Sequence, residues 1–385
     1  MLSFQSQECV NFIKNNNFID ETKIISKIDI DNLLNQIIIT EHNNKLYLKD
    51  ISKSIKPKGQ LPSIALTNSI IDIKKLILYD LSDKLKRPDT KIYQNKFLSL
   101  DIINYIEQND LYNYIASDCN YFIDIQTKKK LSKTFSLYLF SILNLIGNLG
   151  NFKNFLNLEI YLTPIEKKLF LINGKITNYN MNSGSCYPTK SVQIWRKEEL
   201  LKVLIHELIH FYKFDFNPLI DNYDKLITYI YNKFNIKSKI NPFEAFTETL
   251  AIIIHSHYIS NVLNIDYEQI IKNEIMWSCF QAAKLIKIFG GKEYDDLYKI
   301  EIKQTSNGLS YYILKCALLC NLSNFINFLD NKLYFSKSIV EFIELLDQSL
   351  NSDNFKILIN RALLLNTTNK YINETFRMSL YELEF

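Results

Sequence analysis

Glycine and proline are scarce in this 385-residue chain, at 8 and 7 residues, where average usage would give about three times as many. A fold of many short strands joined by tight turns is therefore not expected, and helices should dominate. Cysteine is sparse and unpatterned. The six thiols, Cys9, Cys119, Cys186, Cys279, Cys316 and Cys320, include no CxxC pair, which excludes a small disulfide framework and suggests free thiols in a reducing compartment. Cys316 and Cys320 stand four residues apart, on one face of any helix that carries them. Cationic blocks are missing too: the longest run is Lys128-Lys129-Lys130, and the formal charge is only +4, so no nucleic-acid partner is expected. The most apolar stretch, Phe135 to Leu149, falls short of the ~20 residues a membrane span needs and is interrupted by Asn144 and Asn148. A buried helix is expected there. The N-terminal MLSFQSQECVNFIKNNN has neither the charged start nor the apolar core of a signal peptide. No membrane partner is expected, and the protein should be intracellular and cytoplasmic.

What remains is a chain with 47% hydrophobic and 22% charged residues, long enough for more than one domain with its own core. Abundant Asn, Ile and Lys point to AT-rich coding DNA. Residues 1–129 read as an N-terminal domain of unknown role, mainly helical. Within it, 37–51 has the pattern of a hairpin turning at Asn43-Asn44 and placing His42 at the surface. A polar loop follows over 53–62, and 70–85 has helical apolar spacing. Residues 130–385 read as a second domain. It opens with a long apolar helix over 131–149. Strands are expected at 158–163, 168–173 and 191–196, with an Asn/Ser/Gly-rich loop over 178–189. Helices follow over 198–214 (opened by Glu198 and Glu199), from after Pro218 to about 234, and over 242–262, with Pro242 at the first turn. A helical subdomain is expected over 266–385. Nothing in the sequence specifies an oligomeric state.

The segment EELLKVLIHELIHFYKF (198–214) is apolar nearly all the way round, the mark of a buried helix. His206, Glu207 and His210 interrupt it. Three ionisable groups in a dry helix are costly unless something satisfies them, and a divalent cation would. Residues four apart share a helix face, so both imidazoles can reach one metal, while Glu207 stands beside them. This is the H-E-x-x-H arrangement. The extension with a later glycine and third histidine is absent: Lys213 holds the glycine position, and neither Phe216 nor Asn217 is histidine. Two core histidines bonded to backbone carbonyls are the structural alternative, which leaves the glutamate between them unexplained. A third ligand must come from elsewhere, and NPFEAFTETLAIIIHSH (241–257) offers Glu244 and Glu248 one helical turn apart. The alternative for these two is a solvated helix face. His255 lies ~16 Å along the helix from Glu244, and His257 points elsewhere; both are expected to be structural.

HExxH followed by this second helix resembles the gluzincin class of metallopeptidases. The resemblance spans His206 to His257. It implies a zincin-like α+β domain, mostly helical, with a small sheet beside the HExxH helix. It implies Zn2+ held by His206, His210 and Glu244, with Glu248 orienting a ligating histidine from behind. The Glu-Ala-Phe-Thr-Glu stretch is similar to an element of the anthrax lethal factor and Pro-Pro endopeptidase group. That group carries a tyrosine seven residues earlier, where this chain has Lys237. Composition and general look resemble those of peptidase-like proteins of large DNA viruses.

The function implied is hydrolysis of a protein or peptide substrate, with Glu207 as general base acting on a zinc-activated water. Tyr311 and Tyr312, in a Gly-Leu-Ser-Tyr-Tyr stretch opening a C-terminal helix, are candidates for steadying the oxyanion, as is Tyr231. The strand before the HExxH helix, with Gln193, Ile194 and Trp195, is a candidate edge on which an extended peptide would pair. Two other readings stand beside this one: a non-enzymatic structural or virion-associated protein retaining the fold, and a metal hydrolase acting on a non-peptide amide.

Overall fold

A computed structural model of the chain describes residues 1–17, 79–80, 95, 97–117, 120–150, 154–215 and 222–385. The expected hairpin over 37–51 with His42, the loop over 53–62 and most of the expected helix over 70–85 lie outside them. Within that last segment Tyr79–Asp80 forms a short strand, so at those two residues strand replaces helix. The chain divides into two compact units, one from within Gln36–Ile165, Ser183–Lys213 and Phe385, the other from within Met1–Asn35, Glu166–Asn182 and Phe214–Glu384. Both draw on residues from either side of 129/130.

The first unit holds a six-stranded mixed sheet: β1 (Tyr79–Asp80), β2 (Tyr112–Ser117), β3 (Tyr121–Thr127), β4 (Leu156–Leu162), β5 (Gly184–Tyr187) and β6 (Ser191–Ile194), in the order β1-β2-β3-β4-β6-β5. β3, β4 and β6 run parallel, while β1, β2 and β5 are antiparallel to their neighbours. Parallel neighbours need a crossover, and between β3 and β4 the Lys133–Leu149 helix supplies it. Ser132 caps that helix by accepting from the Phe135 backbone N–H. The register puts apolar residues in rows across the sheet. Ile123, Leu158 and Val192 form one row; Ile125, Ile160 and Ile194 form the next, which ends at Gly184. The six apolar side chains are buried on the face covered by the Lys133–Leu149 and Leu200–Phe211 helices. On the opposite face the Leu100–Gln108 helix brings Ile102, with Leu98, against Tyr161 and Trp195.

The second unit is helical. Its centre is the pair Phe243–Leu263 and Tyr267–Ile288, surrounded by the helices Phe4–Asn15, Tyr223–Lys233, Lys315–Cys320, Leu322–Leu329, Ile339–Leu350, Asp353–Leu364 and Lys370–Glu374. The apolar face of Phe243–Leu263 packs Phe243 and Phe246 against Phe335 and Phe342. The first residues and the segment running to Glu384 belong to this unit. The Ser3 N–H donates to the Glu382 carbonyl and the Glu384 N–H to the Met1 carbonyl, and the Glu274 carboxylate accepts from the Leu380 and Tyr381 N–H groups and the Ser379 hydroxyl.

Three expectations from the sequence are corrected. Residues 168–173 make only isolated bridges, Lys168 with Thr375 and Ile172 with Lys175, because the segment turns back on itself at Asn173-Gly174, both with positive φ. The expected loop over 178–189 contains a short helix, Asn178–Met181, and all of β5. Glu198 and Glu199 precede the helix they were expected to open: the first turn starts at Leu200, and Glu199 takes a left-handed conformation at φ 59°. Among the described residues no single helix is long and apolar enough to cross a membrane. The bent pair Leu309–Cys320 and Leu322–Leu329, turning through 92°, passes only jointly, on length and composition.

Candidate metal centre

The Leu200–Phe211 helix carries His206, Glu207 and His210. Leucine, isoleucine and valine surround them on nearly every side, and all but His210 of its twelve residues are buried. His206 is only 6% exposed and Glu207 5%. The four-residue spacing does what the sequence required: His206 Nε2 and His210 Nε2 lie 3.0 Å apart, with the rings edge-on at 80°. One nitrogen of such a pair donates and the other accepts, or both lone pairs turn to a shared cation.

Gly184, at the start of β5, faces Glu207. A Cβ built on Gly184 would stand 2.6 Å from Glu207 Oε1 and 2.9 Å from its Cγ, closer than side-chain atoms tolerate. The close approach of the carboxylate, not backbone conformation, is what a side chain at 184 would disturb. The same helix end explains a second glycine, since a Cβ on Gly150 would strike the Tyr212 ring. Burial pushes the Tyr212 hydroxyl up to about 12.

Glu244 and Glu248 stand one turn apart on the Phe243–Leu263 helix, Glu244 in the first turn and Glu248 buried. Asn241 sets that turn. Its Oδ1 accepts from the Phe243 N–H, its Nδ2 donates to Glu244 Oε1 at 3.3 Å, and its carbonyl accepts from the Ser310 hydroxyl. Tyr223 was not singled out in the sequence. It stacks on Phe243 with ring centroids 5.9 Å apart, and its hydroxyl is pushed up first by burial and then by the Glu244 charge. Among 24 tyrosines nothing in its local pattern distinguishes it.

Other expected site residues fall elsewhere. β6 lies between β4 and β5, so Gln193 and Ile194 sit on no edge; the edge beside Glu207 is β5. Gln193 shares a face with its partners Glu159 and Ser185, opposite to Gly184, and its amide bonds to Glu159 and Asn95. Ile194 is fully buried, and Trp195, at 1% exposure, packs on Tyr161. None of the three is available to an extended peptide. Tyr311 and Tyr312 are buried in a wide π-helical turn, Leu309–Leu314. Tyr312 stacks on Phe376 at 3.8 Å and donates its hydroxyl to the Phe376 carbonyl, a packing role. His255 and His257 bond to Ser379 and Asn261.

Among the described residues of the helical unit, Cys279, Cys316 and Cys320 form a set of three side chains that could hold a metal ion, a set unforeseen in the sequence.

The fold class is thus α+β, mostly helical with one small mixed sheet, carrying side-chain groups suited to metal ions. No protein-family model matches the chain, and no solved structure matches it significantly. It is similar to uncharacterized protein R210 of Acanthamoeba polyphaga mimivirus, with 22% identity over 217 residues, 52% of this chain and 53% of that protein. The chain therefore matches about half the length of that curated relative.

Proposed function

We propose that this protein is a zinc-dependent peptidase of gluzincin type, with a zincin-like arrangement of the HExxH helix beside its sheet. The observation that carries the reading is the 3.0 Å approach of His206 Nε2 to His210 Nε2, with Glu207 between them in sequence on an otherwise apolar buried helix. His206, His210 and Glu244 would hold the metal, two imidazoles and a carboxylate being the donor set that suits catalytic zinc. When bound, the metal supplies a Lewis acid that acidifies water and polarises the scissile carbonyl.

The chain's own residues do the rest. Glu207 takes a proton from the attacking water on its carboxylate oxygen and delivers it to the leaving nitrogen. Gly184, with no side chain, lets that carboxylate approach the sheet closely. Glu248 accepts a hydrogen bond from a ligating imidazole and holds its tautomer. Tyr223, protonated at neutral pH, donates to the developing oxyanion. An extended substrate pairs along β5, which supplies backbone donors and acceptors at the sheet edge next to Glu207.

The test is a peptide-library digestion with wild type and Glu207→Gln, each with its metal content measured. Cleavage by wild type that vanishes in a metal-replete Glu207→Gln supports the reading. Indistinguishable digests from the two proteins sink it and favour a structural role for the same fold.

A further inference from the structure

The sulfurs of Cys279, Cys316 and Cys320 meet in the interior of the helical unit. Cys279 comes from the Tyr267–Ile288 helix; Cys316 and Cys320, four residues apart, share one face of the Lys315–Cys320 helix. Cys279 Sγ lies 3.5 Å from Cys320 Sγ and 3.6 Å from Cys316 Sγ, and all three sulfurs fall within 4.8 Å of one another. The residues are 0%, 0% and 2% exposed.

That spacing is informative. A disulfide would draw two sulfurs to about 2.05 Å and strand the third. Thiolates bound to one ion at about 2.3 Å stand roughly 3.8 Å apart when their directions are tetrahedral. The two separations from Cys279 are within a few tenths of an ångström of that value, and the third is no more than 4.8 Å. A packed core needs no such convergence, since a lone buried thiol serves as an ordinary small hydrophobe.

Charge supports the same conclusion. Lys315 is fully buried, and a buried ammonium is costly without compensation. Its Nζ donates to the Met378 carbonyl. Three thiolates around a divalent ion leave one negative charge for such a cation to offset. Soft sulfur donors select ions such as Zn2+ and Cu+.

We propose that Cys279, Cys316 and Cys320 hold a thiophilic d10 cation, Zn2+ or Cu+, in a buried structural site that pins the Tyr267–Ile288 helix to the Lys315–Cys320 helix. The site is independent of the peptidase reading. Structural thiolate sites contribute folding energy directly, so the buried ion is expected to survive chelators that strip an exposed centre.

The full-length chain, purified without added metal under reducing conditions, is examined by elemental analysis and X-ray absorption. A sulfur shell at about 2.3 Å is expected, with the absorption edge identifying zinc or copper. This metal persists in His206→Ala/His210→Ala and is lost in Cys316→Ser. Because an imidazole–carboxylate centre contributes only nitrogen and oxygen neighbours, the wild-type spectrum decides even if a variant fails to fold. Absence of a sulfur shell overturns the proposal, as does a Cys279–Cys320 or Cys279–Cys316 disulfide found by mass spectrometry of the alkylated chain. Loss of peptidase activity with the sulfur shell intact would count against the histidine site alone.

Discussion

Gly184 and Glu207 make a close approach: a Cβ added at residue 184 would stand 2.6 Å from the Glu207 Oε1. The sheet register produces this. Gly184 pairs with Ile194 at the end of a row that includes Ile160 and Ile125, and the Leu200–Phe211 helix covers that face. Replacing Gly184 with alanine forces the Glu207 side chain aside while leaving both imidazoles in place. Displacing a catalytic group by about 1 Å can cost up to ~100-fold in rate. The expected result for Gly184→Ala is a fall in kcat of at least about tenfold, with metal content unchanged. Wild-type kcat in Gly184→Ala would remove Glu207 from the role of base.

Glu248 is buried one turn beyond Glu244, and under the proposed reading its carboxylate orients a ligating histidine. Partners of this kind typically contribute about 10–100-fold in metal affinity. Glu248→Gln keeps the volume and one acceptor but removes the charge. Competition with a chromogenic chelator should show zinc held about 10–100-fold more weakly, with the fold retained by circular dichroism. Unchanged affinity assigns Glu248 to packing alone.

Much of the helical scaffold was legible because its signals are local. The apolar helix containing His206, Glu207 and His210 appears as its sequence periodicity requires, and Asn241-Pro242 marks the start of the next helix. What stayed hidden is tertiary. β5 lies inside a stretch whose Asn, Ser and Gly content matches a loop, and strand order cannot be read from the segment SVQIWR. Its four-residue strand was placed at an edge, yet its hydrogen bonds go to β4 on one side and β5 on the other. The cysteine triad was hidden for a similar reason. Cys316 and Cys320 show the helical spacing, but Cys279 joins them only through packing of a different helix.

Tyr312 illustrates how a residue attractive in sequence becomes structural in three dimensions. Its ring stacks on Phe376 and its hydroxyl donates to the Phe376 carbonyl at 2.7 Å, anchoring the C-terminal segment. Tyr312→Phe removes one buried hydrogen bond and leaves the stack intact. A loss of about 1 kcal/mol in unfolding free energy is expected, read by denaturant titration, with activity per folded molecule unchanged. A selective drop in kcat, without loss of stability, would return Tyr312 to the reaction centre.

Lys284 provides a pH-dependent test of the helical unit. Its Nζ donates to the Ile372 carbonyl at 3.0 Å and to the Thr375 carbonyl. Burial holds its pKa down, at about 7 against an ordinary 10.5, while the nearby Cys9 acts in the opposite direction. Between those two values the unfolded chain carries a proton that the folded chain has released. Stability therefore rises with pH across that window, because the slope follows the excess of protons in the unfolded state. The buried tyrosines oppose this once pH passes their ordinary value of 10.0, where the unfolded chain releases phenol protons that the folded chain keeps. Denaturant midpoints taken from about pH 7 to 9.5 should climb for wild type. The climb should flatten in Lys284→Met, which has no proton to lose at that position. If both proteins show the same slope, Lys284 is protonated throughout and its two carbonyl partners, with Cys9, are enough to hold a buried ammonium.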